Sequence, residues 1–375
     1  MIQALKRLYA DFRGFDETGS AVPMMDGPLK PNTALDAAPV VLRLPDVDNL
    51  VAGREGLFAS HGATLLALTP RGDALVSERR QVFEAPVSSL ATDGQGAIAV
   101  GLDGVGLRVV GGRHDGVTVT ELGDGAALRS PTAAVFADAD TLLVTNGAAD
   151  GPAAEWKRDL MNRRATGSVW RVALGGGTPQ VTQLARNLAF PNGLALGTDG
   201  TLLVSEAWRH RVVVLDATAA KPPRAVLSDL PAYPSRIAPA EGGGYWLALF
   251  APRNQLVEFV LREEEYRRRM VETIDPAYWI APALSSGASF LEPIQGGARK
   301  KLNMLKPWSP SWSYGLVVLC DPAMRPFASF HSRADGSIHG VTSLAELGGR
   351  VLVGARGSGV VVALDPDAPV GEAVP

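Results

Sequence analysis

A chain of 375 residues with 36 lysines and arginines against 39 aspartates and glutamates carries a formal charge of −3 and has no general electrostatic claim on nucleic acid. Its single cysteine, Cys320, rules out an intrachain disulfide, and no stretch approaches the ~20 consecutive apolar residues of a membrane span. Forty-one glycines and 27 prolines beside 46% hydrophobic residues fit many short strands joined by turns, gathered into one domain.

Residues 1–39 read as an arm, with a short amphipathic helix over 2–12 followed by Pro- and Gly-rich sequence. The opening residues lack the continuous apolar core of a signal peptide, so a cytoplasmic protein is expected. Residues 40–44 then read as an outermost strand with no blade of its own. After it comes a unit that is clearest at 191–215, PNGLALGTDGTLLVSEAWRHRVVVL. A polar residue, Asn192, leads into a strand, the Asp199-Gly200 turn reverses the chain, and two more strands follow. The same spacing recurs with Glu55, Ser88, Thr132, Ser235 and Thr342 in the place of Asn192, making six copies. The last copy ends at residues 360–364 without an outer strand, which residues 40–44 are free to supply. The expected fold is all-β, a six-bladed β-propeller over 40–366 closed by its first and last strands, with a tail at 367–375.

Two connections between second and third strands are long, residues 146–166 and 251–314. Strand parity puts both over the face that carries the six polar markers. The first holds a helical stretch near 153–164. The second contains LVEFVLREEEYRRRMVETI, in which Leu256, Val260, Arg267 and Val271 mark an amphipathic face, and then an irregular part held by Trp308, Trp312 and Tyr314. The basic runs at 267–269 and 299–301 are short and read as solvated faces. Cys320, inside GLVVLCD, reads as a buried strand residue.

Convergence of six polar residues on one opening, each followed by an apolar strand, is either a wet channel lined by strand-end caps or a binding site. Glu55 is the sole carboxylate of the set. The register brings Glu206, His210 and His339 near the same face, although Glu206 is equally placed to pair with Arg209 or Arg211. Phosphate loops, dinucleotide fingerprints, HExxH helices and G-x-S-x-G elbows are absent from the sequence. Calcium takes carboxylate, amide and hydroxyl oxygens, so Glu55 and Asn192 offer two ligands, with Ser235, backbone carbonyls and water to complete a shell.

PNGLALGTDGTLLVSEAW, the glutamate of REGLFA, LPAYPSRI followed by GGGYWLAL, and KPWSPSWSYGLVV with VTSLAELGGRVLVGA resemble the strictosidine synthase-like proteins, relatives of the senescence marker protein, gluconolactonase and paraoxonase group. The resemblance spans residues 40–364. It implies a six-bladed propeller with its site at the central channel, and calcium held by residues matching Glu55 and Asn192 together with an acid or amide where this chain has Ser235. Thr132-Ala133 stands where members often have Asn-Asp, and Thr342 approximates the place of the acid/base glutamate of strictosidine synthase.

Three functions follow as expectations for a small-molecule ligand. The first is hydrolysis of an ester or lactone with calcium on Glu55 and Asn192. The second is metal-free acid/base chemistry, such as a condensation, with Glu55, Glu206 or His339 moving protons and Ser88, Thr132, Ser235, Thr342 and His210 binding substrate. The third is a non-catalytic binding module roofed by Trp156, Trp279, Trp308 and Trp312.

Overall fold

Alternating apolar strands broken by glycine turns build six sheets of four antiparallel strands each, a six-bladed β-propeller. The computed structural model describes residues 22–197, 199–216, 221–286 and 313–367, with a two-stranded backbone ribbon at 300–301 and 304–305. The 2–12 helix and the tryptophans at 308 and 312 lie outside the described residues.

The innermost strands of blades 1 to 6 are Val47–Gly53, Val87–Thr92, Pro131–Asp138, Pro191–Leu196, Ala232–Pro239 and Val341–Leu347. Each packs against the next around a ring, the last against the first. Closure is as the sequence implies: Val40–Arg43 adds antiparallel to Val360–Leu364, pairing Val40 with Val362 and Arg43 with Val360. The outermost strand of the last blade is therefore the first of the described strands, and the last blade has four strands like the other five. Apolar seams fill the spaces between blades. Blades 5 and 6 share Trp246, Val317, Phe330, Val341, Val353 and Val362, into which Leu35 of helix α1 (Ala34–Ala37) inserts from the N-terminal side.

The first blade departs from the sequence reading. Its inner strand is Val47–Gly53, ahead of Glu55, and the strand that the marker spacing places second in this blade, Thr64–Arg71, is its third. Glu55 falls in the tight turn to the strand Gly56–His61. That turn is on the face opposite the other five markers, because every inner strand starts at the marker face and ends at the other.

At the marker end the inner strands share one device. The ladder skips a residue at Ser88, Thr132, Asn192 and Thr342, at Ser235-Arg236 in blade 5, and at Asn49-Leu50 in blade 1. A bulge leaves its residue out of the ladder and re-aims the side chain, here toward the channel. Strands come very close at these points: a Cβ on Gly193 would lie 2.3 Å from the Ser235 carbonyl oxygen. Gly193→Ala should therefore cost about 1–3 kcal/mol by overpacking, read as a lower urea midpoint with an unchanged slope.

The insertions form a roof over the marker face. Helix α2 (Trp156–Asn162) comes from the first, and helices α3 (Gln255–Arg262) and α4 (Glu264–Thr273) from the second. The expected single helix breaks at Glu263, which lies outside helical backbone angles. The buried face of α3 is Val257, Val260 and Leu261, while Leu256 is 42% exposed, one position away from the face expected. Leu160, Met161, Val257, Val260, Met270 and Trp279 make a second core with Phe190, Tyr233 and Phe250 of blades 4 and 5. Arg163 ties α2 to α3 by donating to the Leu261 carbonyl at 2.9 Å. Among the described residues no helix is long and apolar enough to cross a membrane. Cys320 is fully buried in its strand, and burial, then Asp321, pushes its thiol up to about 12.

Candidate active site at the channel mouth

Most marker side chains spend a hydrogen bond on holding neighbouring blades together. Ser88 donates to the Pro131 carbonyl at 2.9 Å, Thr132 to the Pro191 carbonyl at 2.5 Å, and Ser235 to the Thr342 carbonyl at 2.8 Å. Asn192 donates its amide to the Ser235 hydroxyl at 3.3 Å, and Thr342 its hydroxyl to Asp48 at 2.7 Å. Asn49 completes the circle by donating to the Val87 carbonyl at 3.2 Å. The ring of polar markers is a blade-to-blade stitch, and toward a ligand its hydroxyls offer lone pairs.

Ser88, Thr132, Asn192, Ser235 and Thr342 line a cavity of about 230 Å³ together with Asp48, Asp103, Arg236 and Arg356. Its upper wall is aromatic. Phe190 stacks on Trp208 at 4.7 Å, and Trp156 meets Phe250 edge-on at 5.5 Å. Of the residues the sequence singles out, Glu55, Glu206, His210 and His339 do not line this cavity. Glu55 is exposed on the far side, where it accepts the Gly96 N–H at 2.5 Å and the Thr92 hydroxyl at 3.1 Å. Glu206 is fully buried between Arg209 at 2.5 Å and Arg211 at 2.6 Å and also accepts the Ala189 N–H, the ion-pair alternative. His339 has both ring nitrogens engaged, with Ser313 Oγ at 2.9 Å and the Arg333 carbonyl at 2.7 Å. His210 faces a separate cleft.

The carboxylate at the channel centre is Asp48, which is 4% exposed. Its Oδ1 accepts from the Thr342 hydroxyl and the Asn49 N–H, both at 2.7 Å. Its Oδ2 faces Arg356 at 3.4 Å and Arg236 at 3.8 Å. Burial by itself would raise its pKa, but Arg236, Arg356, Thr342 and Asn49 outweigh it and hold the carboxyl below its ordinary value. Arg236 follows Ser235 in the bulge of blade 5 and crosses the channel to Asn49 Oδ1 at 2.5 Å and the Ser88 carbonyl at 2.7 Å. Burial lowers the pKa of its guanidinium, and Asp48 opposes that effect.

This donor set does not fit a calcium ion. Calcium needs six to eight oxygens, several of them anionic, whereas the cavity offers two carboxylates, Asp48 facing two guanidiniums and Asp103 already accepting the Ala153 and Ala154 N–H groups. Asn49 Oδ1 and the Ser88 carbonyl already receive Arg236. The Glu55 and Asn192 pair expected to bind the metal is split between opposite faces. Among the described residues no group of three or more His, Cys, Asp or Glu side chains could hold a metal.

Asp103 anchors the roof by accepting the N–H groups of Ala153 and Ala154, although burial keeps its pKa raised. Asp159 on α2 accepts from Trp208 Nε1 at 2.7 Å, and burial raises its carboxyl to about 6. The native state thus binds this proton more tightly than the unfolded chain, so stability falls as pH rises from the unfolded value of 3.8 to about 6. Relative to Asp159→Asn, the wild type should lose about 1–2 kcal/mol over that window after allowing for solvent screening, measured as urea midpoints at pH 4 and pH 6.5.

A family model for the NHL repeat matches residues 188–215, the fourth blade up to its third strand. No curated protein sequence matches the chain. Among solved structures, a putative gluconolactonase superposes with a TM-score of 0.54 at 12% identity, covering 88% of this chain and 91% of that one. A gluconolactonase from Xanthomonas campestris gives 0.53 at 14% identity over 89% and 97%. A regucalcin from Agrobacterium tumefaciens, described as calcium-binding, gives 0.49 at 13% over 89% and 93%. At these identities the likeness to the two gluconolactonases is one of architecture: the chain shares the six-bladed propeller on which they are built.

Proposed function

We propose that the channel mouth hydrolyses an ester or lactone of a small organic molecule without a resident metal ion. The observation that carries this reading is the Asp48, Arg236 and Arg356 constellation set beneath an aromatic roof. A water held on Asp48 Oδ2 attacks the acyl carbon, and Asp48 takes its proton. The guanidiniums of Arg236 and Arg356 polarise the carbonyl and balance the oxyanion. As the acyl C–O bond breaks, the proton passes to the leaving oxygen, giving an acid and an alcohol. The depressed pKa of Asp48 keeps it ionised at neutral pH, so it is a ready but weak base, and most of the acceleration rests on the fixed positive charge. The architecture shared with gluconolactonases is in keeping with this reading, though a fold hosts many chemistries.

A strictosidine synthase-like condensation is the second reading, favoured by the aromatic wall, which suits a planar amine or aldehyde. The test is a screen of lactones, aryl esters and amine–aldehyde pairs with and without chelator. Ester or lactone turnover that survives chelation and disappears in Asp48→Asn supports the proposal. Loss of turnover on chelation overturns the metal-free mechanism, turnover of amine–aldehyde pairs alone selects the condensation, and inactivity on every substrate assigns the site to ligand binding.

A further inference from the structure

Beside the channel mouth, on the other side of Trp208, lies a larger cleft of about 740 Å³. Its rim gathers Arg163 and Arg164 from the end of α2, Arg209 and Arg211 from blade 4, and Arg262 from the end of α3. Against these five arginines the lining holds two carboxylates, Asp229 and Glu258, and both are engaged by Arg253 at 3.0 Å. Elsewhere the chain is slightly acidic, so this is a local concentration of positive charge. Arg164 spends one nitrogen on Asp150 at 2.8 Å, Arg163 one on the Leu261 carbonyl, Arg209 one on Glu206 and the Asn187 carbonyl, and Arg211 its Nε on Glu206. A guanidinium carries five N–H donors, so each of these contacts leaves donors over.

A second observation is independent of charge. His210 lines the cleft and is 8% exposed, while its Nε2 lies beneath the surface with no hydrogen-bond partner; the nearest carboxylate oxygen, on Glu258, is 3.9 Å away. The residue is also held in the left-handed backbone region, φ 49°, which a histidine occupies at a cost. The ring packs edge-on against Tyr233 at 4.8 Å, so its position is fixed by the core. Buried polar nitrogens are normally satisfied, and an apolar side chain would serve the packing better.

We propose that this cleft binds a small molecule bearing a multivalent oxyanion, a phosphate ester or pyrophosphate, with the arginines as its charged cradle and the buried ring of His210 as part of its floor. Five guanidiniums drawn from three separate elements converge on one concavity, which matches a compact anion with several oxygens. A nucleic acid backbone would need an extended basic face, and here carboxylates interrupt the basic rim. Trp208 lines both this cleft and the catalytic cavity, so a ligand here sits one indole away from the site of chemistry.

The test is calorimetric titration of the full chain with inorganic pyrophosphate, with citrate as a second oxyanion and a 20-base-pair DNA duplex as a polyelectrolyte control. Saturable one-site pyrophosphate binding is expected, weakened at least fivefold in Arg164→Gln and in Arg209→Gln. His210→Phe should melt no lower than wild type without ligand, because it removes a buried unsatisfied nitrogen and keeps the ring packing. Arg164 is exposed and far from the core, so its variant decides the matter if the loss of Arg209 unsettles Glu206. No saturable binding, binding unchanged in Arg164→Gln, or tighter binding of duplex than of pyrophosphate would overturn the proposal.

Discussion

Asparagine at position 48 should reduce turnover by about 10²- to 10⁴-fold, the usual span for loss of a general base, while Glu55→Gln should match the wild type. The two carboxylates stand on opposite faces of the propeller, so the pair of variants separates a site at the roofed mouth from one at the exposed turn. The Asp48→Asn protein will also be less stable, because two guanidiniums are left sharing a neutral partner; breaking a buried pair costs about 3–5 kcal/mol. Rates should therefore be taken well below its melting temperature. The pH profile gives a further check. The native pKa of Asp48 is lowered, so its stabilising contribution is present above the unfolded value of 3.8 and is lost only as pH falls through the lower native value. Wild-type activity should show no acid limb from this group near neutrality, and an essential group titrating between pH 6 and 8 would contradict the assignment.

Arg236→Ala should be the second severe change, and its phenotype should depend on calcium. Removing the guanidinium leaves Asp48 Oδ2, Asn49 Oδ1 and the Ser88 carbonyl without it, near the Ser235 hydroxyl that Arg236 also approaches at 3.2 Å. Loss of stability by about 3–5 kcal/mol is expected. These oxygens would then form a cavity that a hard cation suits, so millimolar calcium should raise the melting temperature of the variant and leave that of the wild type unchanged. Equal responses in the two proteins would mean that Arg236 does not occupy the place of a cation.

Six blades, their closure and the two roofing insertions were legible because each rests on strand count and parity, which periodicity reports directly. Placement of the first blade was not. Val40–Arg43 is the outermost strand expected, but the strand after it also reads as apolar, and Glu55 carries the marker spacing although the chain has already turned there. A local sign was present: Ser88, Thr132, Asn192, Ser235 and Thr342 each follow a valine or proline, as Asp48 follows Val47, whereas Glu55 follows Arg54. Arg236 was missed for a different reason. Period-2 alternation sends the neighbour of Ser235 into the seam between blades, and only the bulge turns both residues to the channel. Arg356 and Asp103 lie in connections where no periodicity speaks. The markers themselves were found, but their shared role in stitching blades depends on carbonyls of adjacent strands, which a sequence does not display.

The pairing of Val40–Arg43 with Val360–Leu364 has a consequence for how the molecule is made. During synthesis the strand that finishes the last blade emerges ahead of all six inner strands, and its partner, Val360–Leu364, follows only after the other five blades. At ~5–20 residues per second, the early strand waits on the order of tens of seconds while five blades assemble ahead of it. Through that interval its edge is open to neighbouring nascent chains on the same message. Emergence of Val360–Leu364 is thus the event that converts an open arc into a ring, and a chain cut short of that strand would yield a product that cannot close.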